Sequence, residues 1–190
     1  MKSPLACALR HLRVWPPLSA LVACAIAAAP AVAAPDTAPR DRGVVTRVVD
    51  GDTLVVSLAP GRAEHVRLIG IDTPESKPNK RARLQAGRAA ASEAAIIAMG
   101  KEAFRNTERL APPGTGVSLE YDVEKRDRYR RILAYVYLPD GRMLNEEIVS
   151  GGFANLLTMP PNVRHVDRLR KALSESRTAQ RGLWRSSPGW

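Results

Sequence analysis

Val44-Val45-Thr46-Arg47-Val48-Val49, the turn Asp50-Gly51, and then Thr53-Leu54-Val55-Val56-Ser57-Leu58 carry the clearest structural signal in the chain. Two runs rich in β-branched residues on either side of an Asp-Gly turn signal predict a β-hairpin. Further along the chain, Pro60-Gly61 breaks the second strand and Glu64 to Ile71 makes a third. Val117 to Val123 and Ile132 to Leu138 are two more β-rich runs, the last ended by Pro139-Asp140-Gly141. Five short strands in antiparallel order predict a small closed or partly closed barrel.

Between the third and fourth strands lies an Ala-rich helical tract from Leu84 to Leu110, with a break expected near Gly100 because glycine is a poor interior helix residue. Leu144 to Ser150 reads as a short helix stopped by Gly151-Gly152. Val166 to Gln180 puts Leu169 and Leu173 on one helical face with Arg and Lys opposite. Gly182 closes that helix, and Trp184 is expected to pack against the barrel. The class is α+β, mainly β, within one domain at 43–184, preceded by a linker at 34–42 and followed by a tail at 185–190. A length of 190 residues suits one core rather than two.

Residues 1–33 read as a signal peptide. Lys2, Arg10 and Arg13 precede the apolar stretch Leu18 to Ala29, and Ala31-Val32-Ala33 supplies small residues for cleavage before Ala34. The apolar stretch falls short of the ~20 residues that span a bilayer, and Pro30 interrupts it. Leu21-Val22-Ala23-Cys24 also looks like a lipobox, which would leave Cys24 lipidated and the chain membrane-associated; otherwise the product is secreted or periplasmic. Cleavage after Ala33 removes both cysteines, Cys7 and Cys24, so no disulfide supports the core. It also lowers the formal charge from +10 to +7. A 45% apolar content excludes a wholly disordered chain, and the basic balance favours a polyanionic partner: nucleic acid, an anionic membrane surface or an acidic protein.

Three clusters carry chemistry. The first is Asp50-Gly51-Asp52-Thr53, whose aspartates alone would merely suit a turn. The second is Arg67 followed by an apolar run into Asp72-Thr73-Pro74-Glu75. A straight strand would hold the Cα atoms of Arg67 and Asp72 ~17 Å apart, a gap that a long Arg side chain and a bend at Gly70 would close. The third is Asp127-Arg128-Tyr129-Arg130-Arg131, which alone reads as a solvated charge run.

Taken in order, Asp-Gly-Asp-Thr, Arg leading into Asp-Thr-Pro-Glu, Asp-x-Tyr-x-Arg, Leu133-Ala134-Tyr135-Val136-Tyr137 and the segment from Asp140 through Asn145-Glu146 to Gly152-Phe153-Ala154 resemble the thermonuclease (staphylococcal-nuclease-like) family. The likeness runs over about residues 43–184 and closes with Leu169-Arg170-Lys171-Ala172 and Gly182-Leu183-Trp184. It implies an OB-type five-stranded barrel with three helices, beside which the Ala-rich tract adds an extra one. It also implies Ca²⁺-dependent hydrolysis of DNA and RNA with little sequence specificity, leaving 3′-phosphates. Asp52 and Asp72 resemble the two Ca²⁺-binding carboxylates, and Thr73 the residue lending a backbone carbonyl. Glu75 resembles the general base, and Arg67 and Arg131 resemble the two guanidinium groups that grip the scissile phosphate. Hard oxygen ligands suit Ca²⁺, whereas His65 and His165 without cysteine are poor material for zinc. Neither histidine is assigned a catalytic role. Tyr129 and Tyr135 read as packing residues, although the family pattern lets Tyr129 approach a phosphate or sugar.

Two departures from the staphylococcal pattern stand out. The Tyr-x-Tyr pair after the Gly-x-Ala segment is replaced by Leu156-Leu157-Thr158-Met159-Pro160, which removes a stacking platform. The stretch after Glu75 is longer and carries Lys77, Lys80, Arg81 and Arg83, expected to contact the phosphate backbone. The competing functions are a non-catalytic nucleic-acid-binding OB module and a basic exported envelope protein. A pure binder needs bases without the paired acids that this chain retains. The protein is expected to act as a monomer.

Overall fold

The hairpin stands in the computed structural model, which describes residues 41–59 and 61–186. Strand β1 (Asp41–Asp50) pairs antiparallel with β2 (Thr53–Leu58), and β2 with β3 (Arg62–Leu68). Strand β5 (Gly116–Glu120) and β6 (Ile132–Tyr137) complete a closed barrel in the order β1-β2-β3-β6-β5. The fully antiparallel order expected from the sequence does not hold, because β3 and β6 run parallel. A ring of five strands cannot alternate direction all the way round, so closing it forces one parallel pair. Val45, Leu54, Val56, Val66, Leu119 and Val136 fill the interior with no exposed surface, and Trp184 joins the same core.

The expected third strand bends. After β3 the chain turns at Gly70 (φ +81°) into β4 (Gly70–Asp72), which pairs with β7 (Asn155–Leu157) in a separate two-stranded sheet. A side chain at Gly70 would meet Leu169 at 2.6 Å, so both the positive φ and the close approach call for glycine. Fully buried Asn145 fixes the bend: its Nδ2 donates to Ile69 O at 2.9 Å, and its Oδ1 accepts from Val136 N at 3.0 Å.

Helix α1 (Lys80–Arg88) and helix α2 (Glu93–Leu110) occupy the Ala-rich tract. The break falls between Arg88 and Glu93 rather than near Gly100. Asn79 caps α1 by accepting from Ala82 N, and Ser92 caps α2 by accepting from Ala95 N. Gly100 stays helical because α2 passes directly over the chain at Glu75; a Cβ there would lie 2.2 Å from the Glu75 carbonyl oxygen. Ala82 and Ala86 pack with Ile96, Met99 and Leu183 in a second buried cluster, which seats α1 on α2. Helices α3 (Leu144–Ser150) and α4 (Val166–Thr178) and a 3₁₀ turn at Gly182–Arg185 finish the domain.

Two boundaries shift. Asp41 and Arg42, placed in the linker by sequence, belong to β1 because they pair with Leu119 and Ser118 of β5. Arg185, placed in the tail, ends the 3₁₀ turn. The expected signal peptide, with Cys7 and Cys24, lies outside the described residues. No helix among the described residues is long and apolar enough to cross a membrane.

Candidate active site

The turn after β1 and the bend after β3 bring three distant acids to one place. Arg67, at the end of β3, has a side chain only 8% exposed; its Nη1 lies 2.8 Å from Asp52 Oδ2 and its Nη2 3.2 Å from Asp72 Oδ1. Buried guanidinium and carboxylates of this kind persist because each satisfies the other's hydrogen bonds and charge. Asp52 is locked further: its Oδ1 accepts from Thr53 Oγ1 at 2.9 Å and its Oδ2 from Thr73 N at 3.1 Å. Gly51 lets these loops touch, since a Cβ there would sit 2.8 Å from Thr73 Oγ1. Thr107 of α2 donates to Gly51 O at 2.6 Å and pins the turn from the other side.

Glu75 stands just beyond, and the insertion holds it. Asn79 Nδ2 donates to Glu75 Oε2 at 2.8 Å, and Arg81 Nε lies 2.9 Å from Glu75 Oε1. Arg81 Nη2 also pairs with Asp72 Oδ1, the oxygen that Arg67 contacts. Gln85 Oε1 accepts from Glu75 N, and Gln85 Nε2 donates to Thr73 O, both at 3.0 Å. The four cations expected on the phosphate backbone, Lys77, Lys80, Arg81 and Arg83, are all exposed, but they do not all point the same way. Arg81 instead turns inward onto carboxylates, where opposite charge within hydrogen-bond reach outweighs full hydration.

Arg131 approaches from the loop before β6. Asp127 organises that loop: its Oδ1 accepts from the backbone N–H groups of Tyr129 and Arg131, and its Oδ2 lies 2.7 Å from Arg131 Nε. The run read as a solvated charge face is therefore a built turn. Arg67, Arg81 and Arg131 line one cleft of about 400 Å³, together with Tyr129, Leu157 and Met159. Tyr135 is fully buried as expected, but Tyr129 is 65% exposed, so it is not a packing residue. The guanidinium groups of Arg128 and Arg131 lie 4.8 and 5.5 Å from its ring centre. His65 is exposed on β3, and His165 precedes α4 with its Nε2 2.9 Å from Glu120 Oε1.

The acids strain against one another. Asp50, read from sequence as a turn residue, has its carboxyl pushed up to about 6 by burial, then by the charges of Asp52 and Glu75, against the Gly51 N–H. Asp72 is also raised above the ordinary carboxylate range, chiefly by burial, with Asp52 and Glu75 adding to it and Arg81 and Arg67 opposing. Such a set of hard oxygens with unfavourable mutual repulsion fits a Ca²⁺-type cation. Among the described residues no three His, Cys, Asp or Glu side chains form a metal-holding group. A shell of two aspartates and the Thr73 carbonyl does not require one.

Sequence reading missed the supporting residues Asn79 and Gln85, and left Asp50 and Asp127 as a turn residue and part of a charge run. Two of them left a local signal: Asn79 is an N-cap three residues before Ala82, and Asp127 stands two and four residues before the N–H groups it accepts. Gln85 and Asp50 left none, because their partners depend on how α1 docks and how deeply the turn is buried.

Residues 65–186 match the model of the staphylococcal nuclease homologue family. The chain belongs to that family. The match spans β3 to the 3₁₀ turn, so it covers Arg67, Asp72, Thr73, Glu75 and Arg131, with Asp52 ahead of it. The chain is also similar to a thermonuclease of Staphylococcus intermedius, 37% identical over 142 residues, which is 74% of each chain. A thermonuclease of Staphylococcus hyicus is 35% identical over 141 residues, 74% of this chain and 73% of the relative. The endonuclease YncB of Bacillus subtilis (strain 168) is 31% identical over 144 residues, 74% of this chain and 60% of the relative. The barrel with its four helices is thus a staphylococcal-nuclease fold of the OB type.

Proposed function

We propose that this protein is a Ca²⁺-dependent nuclease that hydrolyses phosphodiester bonds of DNA and RNA with low sequence specificity and leaves 3′-phosphates. The observation that carries the reading is the convergence of Asp52 and Asp72 on Arg67 at a cleft that Arg131 also lines. Thermonuclease and endonuclease relatives point the same way.

Asp52, Asp72 and the Thr73 carbonyl would hold Ca²⁺, which when bound supplies positive charge to the reacting phosphoryl oxygens. Glu75 takes the proton of the attacking water, a role in which general bases contribute roughly 10²–10⁴ in rate. Arg131 sets its fork against the equatorial oxygens as negative charge gathers there, and Arg67, held on Asp52 and Asp72, adds its positive charge from the cleft wall. Asp127 aims Arg131 through Nε and leaves the terminal nitrogens for the phosphate. Tyr129 offers a solvent-exposed ring, bordered by Arg128 and Arg131, on which a base can stack, and Leu157 and Met159 give an apolar wall where the staphylococcal pattern has tyrosines.

Export is part of the same proposal. Residues 1–33 direct secretion or periplasmic release, cleavage after Ala33 leaves a monomer, and lipidation at Cys24 is the alternative processing route. The expected net charge of +7 then draws the enzyme to nucleic acid over long range.

The test uses the purified mature chain with DNA and with RNA, in Ca²⁺ and in chelator, alongside Glu75→Gln and Arg131→Gly. Metal-dependent cleavage lost by roughly 10²-fold or more in both variants is expected. Binding with no cleavage under any condition would leave a non-catalytic OB module, and undiminished cleavage in chelator would remove the metal.

A further inference from the structure

Arg81 occupies an unusual position for an exposed-helix arginine. It rises from α1, a helix fixed by the Asn79 cap and by the burial of Ala82 and Ala86. Its guanidinium takes one oxygen of Asp72 and one of Glu75. In the function proposed above, those two oxygens belong to a metal ligand and to the general base. The same Asp72 oxygen is also held by Arg67, which is 8% exposed and locked between Asp52 and Asp72. Arg81 is 46% exposed, so of the two cations only Arg81 is free to leave.

We propose that Arg81 is an internal stand-in for the divalent cation, which metal binding displaces into the adjoining cleft, where it becomes a third guanidinium for the substrate phosphate. This rests on the reading of Asp52, Asp72 and Thr73 as the metal shell. A dication at Asp72 both repels the guanidinium and competes with it for Oδ1. Arg81 already lines the cleft shared with Arg67 and Arg131, so a change of side-chain rotamer brings it to the phosphate without moving α1. Its departure also frees Glu75 Oε1 to accept a proton. Metal and nucleic acid are therefore coupled through one side chain: each makes the other bind more tightly, by the same factor. The insertion thereby keeps the acids neutralised until both are present.

The experiment is calorimetric titration of Ca²⁺ into the chelator-treated mature chain, comparing wild type, Arg81→Met and Asp72→Asn. Arg81→Met keeps the aliphatic stem and is expected to bind Ca²⁺ roughly twofold to fivefold more tightly, the scale of releasing a half-exposed ion pair. Asp72→Asn is expected to lose the binding. With Ca²⁺ present, a phosphorothioate oligothymidylate should bind Arg81→Met more weakly, with a salt slope flatter by about 0.7, one phosphate contact on a single strand. Arg81→Lys, which keeps the charge without the fork, should give an intermediate Ca²⁺ affinity and guards against a folding defect in the methionine variant. Ca²⁺ binding that depends on Asp72 but is equal or weaker in Arg81→Met overturns the stand-in role and leaves the metal site intact. Absence of Asp72-dependent Ca²⁺ binding in every variant overturns the metal reading and this proposal together.

Discussion

Arg67 Nη1 lies 2.8 Å from Asp52 Oδ2, although fifteen residues separate them and both are almost wholly buried. The contact exists because β2 and β3 are antiparallel neighbours: Thr53 pairs with Arg67, so the turn residue before Thr53 stands against the arginine. Through Asp72 the same guanidinium also holds the far side of the bend. It is a clasp between two loops as well as a candidate phosphate ligand.

Removing that clasp should therefore cost stability as well as activity. Arg67→Ala leaves buried carboxylates without their cation, and urea unfolding in chelator should show a loss of about 3–5 kcal/mol. A loss under about 1 kcal/mol would mean that the acids are hydrated and the clasp is not structural.

Two helical glycines give a paired test. At Gly87 on α1 a Cβ meets nothing within 4 Å, so Gly87→Ala should stabilise by about 0.5–1 kcal/mol. At Gly100 the same methyl would strike the Glu75 carbonyl, so Gly100→Ala should destabilise by about 1–3 kcal/mol despite better helix propensity. Because Glu75 must shift, kcat should fall more than thermal stability predicts. Equal effects of the two substitutions on thermal melting would contradict the packing of α2 on the acid-bearing loop.

Tyr129 is open to solvent, so its removal isolates binding from folding. Tyr129→Ala should leave the melting temperature nearly unchanged and weaken single-stranded oligonucleotide binding by about 1–3 kcal/mol, the worth of one stacked base. Fluorescence anisotropy in Ca²⁺ measures it, and unaltered affinity would place the bases elsewhere.

Acid stability should depend on Glu64. Its carboxyl is held down from 4.5 to about 2, mainly by hydrogen bonds from Arg126, with Arg62 assisting. A depressed acid stabilises the fold above its unfolded pKa and loses that contribution as pH falls towards the folded one. Wild-type stability should therefore decline between about pH 4.5 and 2, and Glu64→Gln should show a shallower decline with lower stability at pH 7. The effect is modest because Arg126 is over a third exposed. Identical acid limbs for the two proteins would exclude Glu64 from the linkage.

The five barrel strands, the short helix Leu144–Ser150 and the candidacy of the acids at positions 52, 72 and 75 were legible because their signals are local: alternation, turn residues, caps and spaced motifs; the short strand Asn155–Leu157 was not, because only its pairing with β4 makes it one. Even the parallel pair of β3 and β6 follows from an odd-membered ring, once closure is accepted. Gly70 was read correctly as a bend, since a straight strand leaves Arg67 too far from Asp72. Gly100 was misread by the same kind of reasoning. A glycine in a helical tract weakens the helix or lets another chain pass close, and only the partner's position distinguishes the two.

Periodicity and short motifs in a fixed order were enough to read the barrel, the family and the residue types gathered at the candidate site. Where each charge points follows from long-range packing. Arg81 lay in a run of bases that composition assigns to an external polyanion, yet the docking of Ala82 and Ala86 turns it onto Asp72 and Glu75. Charge in sequence is a count; the partner that neutralises it is set by the path of the backbone, and that path is fixed by packing between residues far apart in the chain.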